Sequence, residues 1–434
     1  MRSDDTASGR SGALKVITAR LMPLFCLMYL IAYIDRQNVS YAKLEMADAL
    51  GMSEAVYGLG ASLFFIGYFL FEAPANLILA RVGARVWFTR IMASWGVVTI
   101  LLGFTNSPLM FYALRFLLGV CEAGFFPGVL YVLTLWYPQS HRGRMVGAFM
   151  VASAFANAVG ALAGGLLLGL DGVLGLQGWQ WVFVATGIPA VALAPYVLWR
   201  LPSGPQDARW LTPEQKASVA EDLADEHAAH THAGADSWRA MLDRRVLMLA
   251  AMYVGFPLAA YGLSYWLPTV VKGFGASNAQ NGAINVIPWL IVALALWFLP
   301  RIAAKMQQTV KVQSWFIAGP AFVGAAALIL SVLVPGNAAK FALLCVAAPA
   351  IFCAQPMFWS LPPTFLRGAG AAAGIAAINS IGNLGGFVAQ TAVPAIKEAS
   401  GSDLTPMLFL AACLSVAGLS IFLVLPRLKP RTVA

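Results

Sequence analysis

Long apolar runs separated by short polar breaks fill the chain from about residue 21 onward. In the second half, six charge-free stretches cover 246–271, 273–300, 312–339, 341–366, 368–396 and 404–426. Each exceeds the roughly 20 apolar residues that cross a bilayer as a helix. The first half has six more runs, centred near Tyr29, Phe65, Val97, Leu118, Ala156 and Ala190, several of them interrupted by a charge. The pattern predicts an all-α membrane protein of twelve transmembrane helices. Composition agrees. Of 434 residues, 60% are hydrophobic and 11% charged, against about 25% charged in soluble domains, and the mean hydropathy is +0.74.

Residues 1–20 are polar, the next apolar run is a full span, and no small-residue cleavage site follows it, so no secretory signal is expected. The five cysteines (Cys26, Cys121, Cys345, Cys353, Cys413) all fall in apolar runs without ligand spacing. They read as packing residues. The isoelectric point near 9.4 would suggest nucleic acid in a soluble protein. Here it is explained by topology. If basic residues are assigned to alternate sides of twelve spans, 22 of the 28 fall on the side of the termini, the 2–3, 4–5, 8–9 and 10–11 loops and the central linker. Lys43, Lys272, Lys340 and Lys397 fall on the other side, and Arg36 and Arg115 lie inside spans. The positive-inside rule then predicts both termini in the cytoplasm.

The longest polar stretch, 200–243, divides the chain. The expected organisation is a cytoplasmic tail over 1–20, a six-helix bundle over 21–199, a cytoplasmic linker over 200–243, a second bundle over 244–426 and a tail over 427–434. Within the linker, Thr212, Pro213 and Gln215 form an N-cap, first-turn proline and capping-box signal, predicting a short amphipathic helix over 213–230. His227, His230 and His232 lack a carboxylate or cysteine to complete a ligand set, so they read as a solvated tail and no metal is expected. The bundles echo each other. Span 5 carries Asn157 and span 11 Asn383 in matching small-residue contexts, and each span opens after an Arg-Gly pair, Arg142-Gly143 and Arg367-Gly368. Duplicated six-span halves with a midplane site between them are a transporter architecture. The nearby glycines (Gly160, Gly164, Gly165, Gly382, Gly385, Gly386) allow close helix contact.

Ionisable residues inside spans mark substrate or ion pathways. The sequence offers Asp35, Arg36, Glu72, Arg115 and Glu122, all in the first half. Arg115 and Glu122 are two helical turns apart on one face, about 10 Å along the axis. Arg36 shares a face with Tyr33 and Tyr29. Two guanidiniums, two carboxylates and phenol hydroxyls suit an organic anion, because guanidinium binds carboxylate as a fork. With Asp35 and Glu122 ionised, the four charges cancel; protonating both leaves +2, which favours anion binding. Desolvation disfavours a charged carboxyl, so proton-coupled uptake is the expected mechanism. The plainer alternative is a set of buried ion pairs that holds helices together. For Glu72, in the run 71–76, an interhelical structural bond is the preferred reading. In the second half, Gln355 with Trp359 and Asn379 with Asn383 share helix faces. Pro356, Pro362 and Pro363 are expected to break span 10. Tyr261 and Tyr265 are weaker signals, and Trp266 reads as an interface anchor.

The Tyr33-Ile34-Asp35-Arg36 segment, the 67–77 run around Glu72, and Arg115 with Glu122 together resemble the anion:cation symporter family of the major facilitator superfamily. The resemblance covers nearly the whole chain and includes Trp210–Glu214 of the linker. It is strongest to the bacterial branch importing tartrate, phthalate, hydroxyphenylacetate and sugar acids. It implies two pseudo-symmetric six-helix bundles, and a multi-pass protein of the bacterial inner membrane working as a monomer without a cofactor. It implies Asp35 and Glu122 as proton carriers, and Tyr33, Arg36, Tyr68, Arg115, Trp359 and Asn379 around the anion. Ser153 stands where sugar-acid transporters place a glutamine, which leaves room for a less hydroxylated or aromatic acid. Ala80 stands where many members have an aspartate in the 2–3 loop, so a latch through that residue cannot operate. A proton-coupled exporter shares the fold. An enzyme is disfavoured, because no Walker A sequence, zinc-ligand spacing or nucleophile elbow occurs.

Overall fold

The computed structural model describes residues 2–230, 241–306, 309–359, 361–362 and 370–428. In chain order the helices are α1 (Arg2–Ala49), α2 (Glu54–Val82), α3 (Ala84–Leu102), α4 (Pro108–Glu122), α5 (Phe125–Trp136), α6 (Gln139–Leu168) and α7 (Gly178–Arg200). After the linker helix α8 (Pro213–His230) come α9 (Arg244–Tyr253), α10 (Gly255–Lys272), α11 (Asn278–Lys305), α12 (Val310–Leu333), α13 (Asn337–Trp359), α14 (Gly370–Ser400) and α15 (Leu404–Val424). Among the described residues, eleven spans are long and apolar enough to cross a membrane. Two are helix pairs, α4 with α5 and α9 with α10. The twelfth, α14, has 31 residues but carries Asn379, Ser380, Asn383 and Gln390, which lower its hydropathy.

Local chemistry sets the boundaries. α11 starts at Asn278 rather than 273, because Ser277 and Gln280 form a capping box. The Ser277 N–H donates to Gln280 Oε1 at 2.9 Å and the Gln280 N–H to Ser277 Oγ at 3.3 Å, satisfying two otherwise orphaned donors. The run expected over 312–339 ends as α12 at Leu333, and Gly336 turns at φ +87° before α13. α13 then runs through Pro356 to Trp359; Pro363, Arg367 and Gly368 lie outside the described residues. The break between α4 and α5 falls directly after Glu122, where Gly124 takes φ +82°. A Cβ there would lie 2.6 Å from Ala75 Cβ, so the turn and the close approach of α2 both select glycine. The α9–α10 junction lies before Pro257, which cannot donate to the Tyr253 carbonyl.

The halves are related by pseudo-symmetry. Across the interface α6 packs on α11 and α2 on α14, while α1 meets α10. These are spans 5 and 8, spans 2 and 11, and spans 1 and 7, so exchanging the halves maps the interface onto itself. α1 starts at Arg2 and passes residue 20 as unbroken helix, with Ala13 and Ile17 fully buried. The linker folds against the first half. Thr212 and Gln215 form the expected capping box, with bonds of 3.1 and 3.2 Å. Its own backbone N–H and the Thr212 side chain hold the Glu214 carboxyl below the usual carboxylate range. α8 packs on α1, and Trp210 stacks on Trp136 at 5.7 Å. His232 lies outside the described residues, as do the side chains of His227 and His230.

Glycines bring α2 and α4 into backbone contact. A Cβ on Gly119 would lie 2.0 Å from the Phe64 carbonyl oxygen, and one on Gly67 2.3 Å from that of Phe116. Gly119→Ala should therefore cost about 1–3 kcal/mol, read as a lowered unfolding temperature of the purified protein. Gly160→Ala is the control: its Cβ would meet Ile34 Cα at an ordinary 3.5 Å, and its unfolding temperature should hardly move.

Candidate functional site

Arg36 on α1 is 14% exposed by side chain, and its Nε donates to Glu122 Oε2 at 3.0 Å. Its guanidinium carbon lies 5.3 Å from the Tyr68 ring and 5.6 Å from each of the Tyr33 and Phe64 rings. Below it, Tyr33 meets Tyr29 edge-on at 4.7 Å, and Tyr29 stacks on Phe149 at 3.9 Å. Glu122, the last residue of α4, faces the negative end of that helix's dipole, which the Arg36 charge offsets.

Arg115 is buried midway along α4, two turns before Glu122 on the same helical face. Its Nη2 donates to the Ala61 carbonyl of α2 at 2.9 Å, and its guanidinium lies 5.2 Å from the Phe64 ring. Its Nε has no acceptor among the described residues. Both arginines thus rest on one phenyl ring, and Arg115 keeps a buried donor unused. Phe64 was missed by sequence reasoning, although it shares the i, i+4, i+8 face of Tyr68 and Glu72.

Asp35 points away from Arg36, as adjacent helical residues must. Its Oδ1 accepts from Asn38 Nδ2 at 3.1 Å, and the same amide reaches Thr186 of α7 at 3.1 Å. Asp35 Oδ2 and Glu122 Oε1 find no donor among the described residues, and the two carboxyls are electrostatic neighbours. Two carboxylate oxygens cannot bond unless one carries a proton. A proton shared by two such neighbours would let them bond.

The second half contributes aromatic and amide groups. Trp359 Nε1 donates to the Tyr253 hydroxyl at 2.9 Å, which donates to Gln355 Oε1 at 3.2 Å. Tyr253 stacks on Phe358 at 4.7 Å and neighbours Tyr33 across the interface. Gly382 leaves room for it, since a Cβ there would lie 2.2 Å from the Tyr253 ring. Tyr261 packs on Phe65 at 4.8 Å and reaches the Arg36 side chain. Asn379 is tied across the interface: its Nδ2 donates to Glu72 Oε1 at 2.9 Å, while the Ser380 hydroxyl donates to Glu72 Oε2. Glu72 therefore makes the interhelical bond expected of it, and does so between the halves.

The fold thus gathers Tyr33, Asp35, Arg36, Tyr68, Arg115 and Glu122 into one cluster. Trp359 joins it through Tyr253, and Asn379 lies on the Glu72 bridge. Tyr253 and Ser380 went unseen, and Tyr261 stood only as a weak signal, because the contacts that use them cross between helices far apart in sequence. Among the described residues, no group of three His, Cys, Asp or Glu side chains could hold a metal. Chemically, the cluster can exchange an internal carboxylate for an external one at Arg36, with Arg115 as a second fixed cation beside it.

The sequence profile described as the Major Facilitator Superfamily matches residues 25–390. A protein named quinolone resistance transporter from Acinetobacter baumannii is 44% identical over 401 residues, covering 92% of this chain and 91% of its own. A putative tartrate transporter from Agrobacterium vitis is 39% identical over 419 residues, covering 96% and 95%. The crystal structure of a bacterial homologue of the human lysosomal transporter Spinster, inward-facing and unoccupied, superposes with a TM-score of 0.73 at 16% identity, covering 97% of this chain and 98% of that one. That last likeness speaks for the fold alone. The relatives are transporters and not enzymes, and the tartrate transporter among them agrees with the branch that the motifs resemble. The chain is a multi-pass membrane transporter and belongs to the Major Facilitator Superfamily, in keeping with its anion:cation symporter branch.

Proposed function

We propose that this protein is a proton-coupled symporter that takes up a small organic anion, such as tartrate, an aromatic carboxylate or a sugar acid, across a bacterial plasma membrane with both termini in the cytoplasm. The carrying observation is the double arrangement around Arg36: its guanidinium is occupied by Glu122, and Glu122 is in turn an electrostatic neighbour of Asp35. Protonating Glu122 frees Arg36 for an incoming carboxylate, and an arriving carboxylate displaces Glu122 toward a proton. Anion and proton binding therefore favour each other, which is the requirement for symport. Arg115, with its unused Nε, supplies the second cation. Asp35 shares the proton, Tyr33 and Tyr68 flank the anion, and Trp359 and Asn379 shape the far wall.

The test is uptake of tartrate, phthalate and 4-hydroxyphenylacetate into proteoliposomes. Acid outside drives protons inward, so accumulation should exceed equilibrium with an acidic exterior and fall as the external pH is raised to match the lumen. The 44% identity to a quinolone resistance transporter favours a second reading, export of an aromatic carboxylate drug, since a quinolone also carries a carboxylate. Accumulation of a quinolone in everted vesicles with an acidic lumen, with no uptake of the three acids, would decide for it.

A further inference from the structure

Seven residues beyond Arg36 on the same face of α1, about 10 Å along the axis, Lys43 is 4% exposed. It was expected in a loop and instead lies buried within the helix. Its Nζ pairs with Glu54 Oε2 at 2.5 Å and lies 3.5 Å from Thr269 Oγ1. It also sits 4.0 Å from the centroid of Trp266 and 5.5 Å from that of Tyr265. Lys397 covers the same Trp266 ring at 4.7 Å. Trp266 is fully buried, so it is no membrane-interface anchor. It is the ring on which two cations rest, one from each half.

The halves close around this cluster, at the end of the bundle away from the termini. The Ala55 N–H donates to Glu398 Oε2 at 2.9 Å and Asn278 Nδ2 to Glu45 Oε1 at 2.7 Å. A Cβ on Gly165 would lie 2.7 Å from Gly282 Cα. Inside the closure, the Tyr265 hydroxyl is buried without a partner among the described residues. Its neighbours are Tyr57, Glu54 and Arg115. A buried hydroxyl left unpaired is costly, and this one lies between Lys43 and the cation layer below.

We propose that Lys43 and Tyr265 form an outer docking subsite for a carboxylate, shut in this conformation by the Lys43–Trp266 cation–π clamp. The inference rests on the organic-anion uptake reading. When the halves part at this end, Lys43 leaves Trp266 behind on α10. It then trades Glu54 for the incoming carboxylate, as Arg36 trades Glu122 two turns deeper. The Tyr265 hydroxyl donates to the carboxylate on its way to Arg115. The subsite raises the local concentration of anions above the arginine pair, which acts on capture more than on turnover.

Uptake of tartrate, phthalate and 4-hydroxyphenylacetate by reconstituted wild type, Lys43→Gln, Lys43→Arg and Glu54→Gln tests this. Lys43→Gln should raise KM about tenfold with Vmax changed less than twofold. Lys43→Arg should restore KM, and Glu54→Gln should lower it. A Lys43→Gln protein with wild-type KM, or with only Vmax reduced, overturns the subsite. The clamp is read separately by a membrane-impermeant maleimide on Thr269→Cys, with the five native cysteines replaced. Trp266→Ala should raise its labelling several-fold, and unchanged labelling overturns the clamp. If wild type takes up none of the three acids while Trp266→Ala still raises labelling, the uptake reading fails and the clamp stands.

Discussion

Arg36→Gln is expected to abolish uptake, lowering the initial rate at least a hundredfold. Glutamine keeps some length and hydrogen-bonding capacity but removes the charge that four groups are arranged around. Glu122, fully buried, would lose its ion-pair partner at 3.0 Å, and breaking a buried pair from one side costs about 3–5 kcal/mol. Tyr33, Phe64 and Tyr68 would lose the cation held over their rings. Stability and transport should therefore both fall. The double variant Arg36→Gln with Glu122→Gln separates them: it should recover much of the unfolding temperature, because no charge is stranded, yet remain inactive. Recovery of transport in the double variant would show that Arg36 serves the fold and not the anion.

The second large effect concerns coupling. Asp35→Asn and Glu122→Gln should each cut pH-gradient-driven accumulation to near the equilibrium level while leaving exchange of labelled for unlabelled anion measurable. The amides mimic the protonated carboxyls, so the site stays in its anion-accepting form, and a proton is no longer required or carried. Counterflow should then be flat with pH in the range where wild-type uptake rises on acidification. Accumulation that survives in both variants would remove these carboxyls from the coupling path. The two variants need not match. Asp35 is braced by Asn38, whose amide also reaches Thr186, whereas Glu122 holds Arg36 directly, so Glu122→Gln should also tighten anion binding.

Much of this site was legible in the sequence, because a charge inside an apolar run is conspicuous and seven-residue spacing fixes a helix face. Asp35, Arg36, Arg115 and Glu122 stood out for that reason, and their assembly follows from α1, α2 and α4 packing together. Phe64 hid among other phenylalanines, although its register with Tyr68 and Glu72 marks it. Lys43 and Trp266 were misread because hydropathy places a lysine at a helix end in a loop and a tryptophan there at the lipid boundary. Only the packing of one half on the other shows each burying its partner. The Ser277–Gln280 capping box was written in the chain, but apolar residues before it carried the expected span past its true start. The identity of the anion stayed out of reach for a different reason. It depends on the shape left between Tyr253, Tyr261, Trp359 and the arginines, and shape is a property of side chains drawn from helices hundreds of residues apart.

The ring that Arg36 and Arg115 share has one more consequence. Phe64 acts as a spacer that caps how far apart the two charges can stand. On the proposed reading, a dianion whose carboxylates match that gap would be held as a chelate: once one end is bound, the other would meet its cation at a high effective concentration. A homologue one carbon too long, or a monoanion, would gain only a single contact. Replacing Phe64 by leucine would leave both charges in place and slacken the ruler between them, so its signature would be a changed ranking of acids by chain length, with little change in the affinity for a monoanion.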